Sequence, residues 1–185
     1  GAADAGVAGA PIVATAERYD PTTSSFTAVA GAPLLGRYFH AATTPSGGDV
    51  LVSGGFADET DGGVVYGRGP TDAVERYDAA SDTFMDTQSY LSYGPRAMHT
   101  ATLLSDGSVL VVGGFGGPQD GPSSGGSLSA VPWAELLTVS GTGGPDSPSS
   151  DPPFAAGLQQ AIALGNDRIL FVGGAYDVDL DPSAT

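Results

Sequence analysis

One eleven-residue phrase occurs twice in this chain, as AERYDPTTSSF at 16–26 and as VERYDAASDTF at 74–84. Each copy is followed by R-x-x-H (Arg37 to His40, Arg96 to His99) and then by an apolar run ending in paired glycines. Those runs are DVLVSGG and SVLVVGG, and a third, RILFVGG, comes later in the chain. Glu17, Glu75 and Glu135 are spaced 58 and 60 residues apart, and His40 and His99 are 59 apart. The pairs Gly54–Gly55, Gly113–Gly114 and Gly173–Gly174 are spaced 59 and 60 apart. Several independent markers keep one period, which restricts the chain to an architecture built from a repeated supersecondary unit.

Each unit reads as four short strands. HAATTP and HTATLL alternate in character and form the first; DVLVSG, SVLVVG and RILFVG are near-continuously apolar, as expected of a strand buried on both faces. AVERYD is the third, with Glu75 and Tyr77 on one face and Val74 and Arg76 on the other. The fourth starts at Phe26 or Phe84, after the turn sequences DPTTSS and DAASDT. A unit of this size cannot bury its own faces, whereas stacked copies can. Radial stacking of four-stranded antiparallel sheets gives a β-propeller. The division that follows is a linker or mature N-terminus at 1–11, then a propeller segment at 12–174, then an acidic loop or tail at 175–185. Within 12–174 lie a half-blade (12–30), two blades (39–90 and 98–155) and a second half-blade (158–174). That amounts to about three blade equivalents, to be completed by another copy or another chain.

The succession R-x-x-H, apolar strand, Gly-Gly, V-E-R-Y-D and an aromatic seven residues later resembles the Kelch repeat, and is similar to the central propeller of galactose oxidase. The resemblance runs from about Ile12 to Gly174 and implies an all-β propeller. The third repeat departs from it: Ala156 stands at the arginine position, Gln159 at the histidine position, and Leu137–Thr138 at the Tyr-Asp position. Phe26 and Phe84 stand where the family places tryptophan. Copper radical oxidase chemistry in that family needs a cysteine cross-linked to tyrosine. This chain has no cysteine, which excludes that activity along with disulfides and zinc–thiolate sites.

The charge narrows the partners. Against 21 acidic residues stand six arginines and no lysine, for a net charge of −15. Such a surface repels nucleic acid and anionic membranes, and no apolar run is long enough to span a bilayer as a helix. Richness in alanine, glycine and arginine suggests a high-GC bacterial gene. The acidic, Pro/Ser/Gly-rich loops suit an extracellular, periplasmic or cell-surface protein. The opening GAADAGVAGA has neither a basic start nor a strongly apolar centre and does not read as a signal peptide.

Residues that recur with the repeat are expected to be structural. These are Arg37, Arg96, His40, His99, Tyr77, Asp78 and the six paired glycines. The arginines should tie connections to carbonyls or acids, and the histidines should start the inner strands with one ring nitrogen hydrogen-bonded. Tyrosine should sit between blades, and aspartate should cap the turn. The repeat-equivalent glutamates sit one per blade, not face to face across a cleft as glycoside hydrolysis requires. Residues outside the period are the candidate ligand or partner contacts, and they fall in the loops between second and third strands. They are Asp58, Glu59, Asp61, Tyr66, Arg68, Asp72, Asp120 and Trp133, with Tyr90 and Tyr93 in a fourth-to-first connection. Acids, an arginine and aromatics on one rim suit a protein or glycan ligand. Asp177, Asp179 and Asp181 alternate like the start of a calcium loop, but Pro182 follows where that loop needs glycine.

No catalytic constellation is visible. The leading expectation is a non-enzymatic recognition or assembly module without a required cofactor, calcium being the one candidate ion. The alternatives are an accessory propeller fragment of a larger secreted carbohydrate-active enzyme and a calcium-dependent adhesion module.

Overall fold

The computed structural model describes residues 12–45, 47–61, 64–116, 128–138, 151–153 and 155–178. Among them every regular element is a strand. In chain order these are β1 (Glu17–Asp20), β2 (Ser25–Ala28), β3 (Arg37–Tyr38), β4 (Ala41–Thr43), β5 (Val50–Ser53), β6 (Phe56–Asp61), β7 (Val64–Pro70), β8 (Ala73–Asp78) and β9 (Thr83–Tyr90). There follow β10 (Thr100–Leu103), β11 (Ser108–Val112), β12 (Phe115–Gly116), β13 (Leu128–Ala130), β14 (Ala134–Thr138), β15 (Gln160–Gly165), β16 (Arg168–Val172) and β17 (Asp177–Val178).

The first complete repeat is a four-stranded sheet in the order β4-β5-β8-β9, antiparallel throughout. The next shows β10-β11-β14 among the described residues, and the outer repeats are the two-stranded sheets β1-β2 and β15-β16. Local chemistry sets the hairpins. Asp20 Oδ1 accepts the Thr22 N–H at 2.8 Å, and Asp78 Oδ1 accepts the Ala80 N–H at 2.9 Å, so each Y-D pair closes the turn between third and fourth strands.

The sheets stack with their first strands side by side, β10 lying between β4 and β15. Leu51, Val74 and Leu91 from one repeat meet Val109, Val111 and Leu137 from the next in a single buried cluster. Because side chains alternate along a strand, Leu110 and Val112 face the other way, towards β15-β16. At the inner end of each repeat one non-glycine residue has a positive φ: Phe39 (55°), Met98 (59°) and Leu158 (62°). The Met98 N–H donates to the Phe39 carbonyl and the Leu158 N–H to the Met98 carbonyl, both at 2.9 Å. These backbone links run from blade to blade and offset the strain of the left-handed conformation.

Where the segments after the second strands are described, they contain strands and not the loops that their acidic, glycine-rich sequence implied. Strands β6 and β7 pair antiparallel, and β3 extends them into a three-stranded sheet. In the next repeat β12 pairs with β13, and β13 pairs with β17. The expected tail at 175–185 therefore begins as a strand, with Asp177 opposite Ser129. The reason is that backbone hydrogen bonds need no particular side chain. A strand added to an existing edge forms even where the sequence is rich in Asp and Gly.

Candidate functional site

The recurring charged residues build the junctions between blades. Arg37 is buried. Its Nη1 donates to the carbonyls of Gly54 and Ala73, each at 3.0 Å, and its Nη2 pairs with Glu75 Oε1. Glu75 also accepts the N–H groups of Leu34 (2.9 Å) and Leu35 (3.0 Å), so the carboxylate anchors the connection that enters the blade. One repeat later Arg96 Nη2 lies 2.8 Å from Glu135 Oε1, and both side chains are fully buried. Glu135 Oε2 accepts the Ser92 N–H at 2.8 Å. Burial pulls the Arg96 pKa down and pushes the Glu135 pKa up, each opposed by the charge of the other.

The two histidines differ. His99 is buried, with Nε2 2.9 Å from Ser53 Oγ of the preceding blade. Burial, aided by the nearby Arg96 guanidinium, pushes its pKa down to about 3. His40 is exposed instead; among the described residues the sheet ahead of it, β1-β2, has a third and a fourth strand and no inner strand against the ring. Gln159, at the same place in the third repeat, is buried and donates to the Val112 carbonyl at 3.2 Å. Tyr77 sits between the first two sheets, donating to Asp82 at 2.6 Å, while Arg18 donates to both at 3.3 and 2.9 Å.

The described non-recurring candidates lie towards one end of the stack, where first and third strands begin and second and fourth strands end. Tyr93 and Trp133, 40 residues apart, stack with ring centroids 5.9 Å apart and planes at 29°, and are 40% and 43% exposed. Tyr90 is exposed at the end of β9, opposite Ala73. Asp72 is half-buried, and its carbonyl accepts the Leu91 N–H at 2.9 Å. Arg68 is engaged by Asp58 at 2.5 Å across the β6-β7 hairpin, so it does not stand ready as a free cation on the rim. Glu59 and Asp61 lie in β6 and Tyr66 in β7. Asp120, Asp179 and Asp181 lie outside the described residues.

The sequence reading missed two aromatics at this end. Tyr38 stacks on buried Phe56 at 5.4 Å, Phe39 packs against both rings, and Tyr38 and Phe39 remain exposed. The signal was present in R-Y-F-H, where the second repeat has R-A-M-H. Among the described residues no group of three His, Asp or Glu stands together to hold a metal ion. No helix among them is long and apolar enough to cross a membrane.

No family model matches the chain, and no curated protein matches it. A solved structure, described as that of YjhT, is similar over 88% of this chain with a TM-score of 0.65 and 20% identity. At that identity the likeness speaks to the fold alone. This chain spans 45% of the length of that one.

Proposed function

We propose that this chain is a Kelch-like propeller segment serving as a non-enzymatic recognition module, outside the cytoplasm, which binds a protein or glycan partner through the end carrying Tyr93 and Trp133. The stacked, half-open aromatic pair carries the reading. Two amphipathic rings held against each other present a preorganised apolar surface at the rim, with little side-chain freedom left to lose on binding. Tyr38 and Phe39 add exposed aromatic area at the same end. The buried ionisable side chains support the same view, since Arg37 with Glu75 and Arg96 with Glu135 tie each entering connection to its own blade, and His99 bonds Ser53 of the preceding blade.

The test uses the only tryptophan, Trp133. Its fluorescence is followed during titration with a panel of neutral and acidic oligosaccharides, and with extracts of secreted proteins fractionated on the immobilised chain. A saturable change that is lost in Tyr93→Ala, with the melting temperature retained, is the expected result. Turnover of a substrate without involvement of this pair would overturn the proposal.

A further inference from the structure

The outer face of the β1-β2 sheet repeats a face that is covered elsewhere in the chain. Tyr19 packs on Phe26 at 5.0 Å as Tyr77 packs on Phe84 at 5.3 Å, yet Tyr19 is 50% exposed and Tyr77 only 9%. Glu17 stands where Glu75 and Glu135 stand, and both of those are buried against an arginine, whereas Glu17 is exposed. Arg18 is turned towards Tyr77 and Asp82 of the next sheet, so its neighbours Glu17 and Tyr19 face away from that sheet. In both covered cases the arginine comes from the connection leading into the first strand of the same blade. Arg37 precedes β4 and meets Glu75 in β8; Arg96 precedes β10 and meets Glu135 in β14. A blade completed on Glu17 therefore takes its first two strands from a segment with arginine at that place.

The chain's own β15-β16 pair does not supply one. It is a first and second strand, and it exposes Ile162, Leu164, Leu170 and Val172. At its arginine position stands Ala156, beside a cavity of about 350 Å³ lined by Gln159, Phe171, Gly173 and Gly174 among others. Docked there, the Glu17 carboxylate of a second copy would leave water and meet a methyl group instead of a guanidinium. Burying a carboxylate without its cation is strongly unfavourable.

We propose that the β1-β2 sheet binds a β-hairpin from outside these residues, one that carries arginine at the R-x-x-H position and a Gly-Gly end, with its guanidinium on Glu17. Ala156 bars a second copy's C-terminal hairpin from that role. The pairing rule is thus written in one contact, a charge pair for the right hairpin and a buried carboxylate without its cation for the chain's own.

The test restores the missing charge. Sedimentation velocity is run over a micromolar concentration series on the wild-type chain, on Ala156→Arg and on Ala156→Arg/Glu17→Gln, with circular dichroism to confirm folding. The cavity has room for the new side chain. The wild-type chain and the double variant are expected to sediment as single chains, and Ala156→Arg as dimers or longer head-to-tail species. Should Ala156→Arg not fold, a dye-labelled peptide of residues 95–114 replaces it as the donor hairpin. Binding to the wild-type chain should then be roughly tenfold or more tighter than for the same peptide with Arg96→Ala, a difference lost in Glu17→Gln. Wild-type chains that assemble as readily as Ala156→Arg, a folded Ala156→Arg that stays single, or two peptides that bind equally would overturn the proposal.

Discussion

Gly113 and Gly173 hold the same place in successive repeats and nearly the same backbone, with φ of 66° and 74°, yet their surroundings are opposite. A Cβ on Gly113 would stand 2.1 Å from the Ala156 carbonyl oxygen and 2.8 Å from Gln159 Nε2, whereas a Cβ on Gly173 meets nothing within 4 Å. Alanine at either place costs about 1–2 kcal/mol for the left-handed conformation, so that cost cancels in the comparison. At Gly113 the entering segment must also move. This strains the hydrogen bond from the Gly114 N–H to the Ala156 carbonyl (2.9 Å), worth about 1 kcal/mol, and overpacks the junction by about 1–3 kcal/mol. Gly113→Ala should therefore be less stable than Gly173→Ala by about 2–4 kcal/mol. For a chain of this length that is a difference in melting temperature on the order of 10 °C. Urea titrations and calorimetry on the two variants measure it. Equal midpoints would refute the argument that the first glycine of each pair exists to admit the next blade.

The pH dependence isolates His99, whose folded pKa of about 3 lies below the unfolded value near 6.5. Its contribution is fully present above about pH 6.5 and is lost as the pH falls towards 3, because the unfolded chain takes up the proton first. His99→Gln, which borrows the residue at the equivalent position 159, should flatten that part of the stability-versus-pH curve; superimposable curves would sink the assignment. For the buried ion pair, Glu135→Ala should cost about 3–5 kcal/mol by leaving Arg96 charged and alone. Arg96→Met/Glu135→Leu should recover most of that loss, less about 1 kcal/mol for the unpaired Ser92 N–H, in denaturant melts. Equal losses in the single and double variants would show that the cost lies in shape and not in charge.

The strands were legible because the second strands are largely apolar, β5 and β11 being buried or half-buried while β16 leaves Leu170 and Val172 exposed, and because Y-D turns carry their own hydrogen-bond acceptor. That Arg37 and Glu75 were each structural could be read from recurrence; that they meet, 38 residues apart, could not, since nothing local links the two positions. The β6-β7 hairpin was hidden because Asp, Glu and Gly depress strand propensity, and edge pairing to β3 overrides it. The positive φ of Phe39, Met98 and Leu158 left no trace either, because three unlike side chains occupy the place and only a backbone bond is shared. Of the rim residues, the sequence grouped Tyr93 with Trp133 by topology; their direct stacking depends on a long-range approach that sequence spacing does not encode.

That central chain of backbone bonds also bears on how such a molecule could change over evolutionary time. Each link joins an N–H of one repeat to a carbonyl of the one before, and Phe, Met and Leu serve equally in it. A recombination event that removes or duplicates one period of 59 or 60 residues between two of these positions rejoins a donor to an acceptor. The inner links of the fold therefore tolerate gain or loss of a whole unit, and they do so independently of Glu17 and Ala156, on which the proposed hairpin pairing rests.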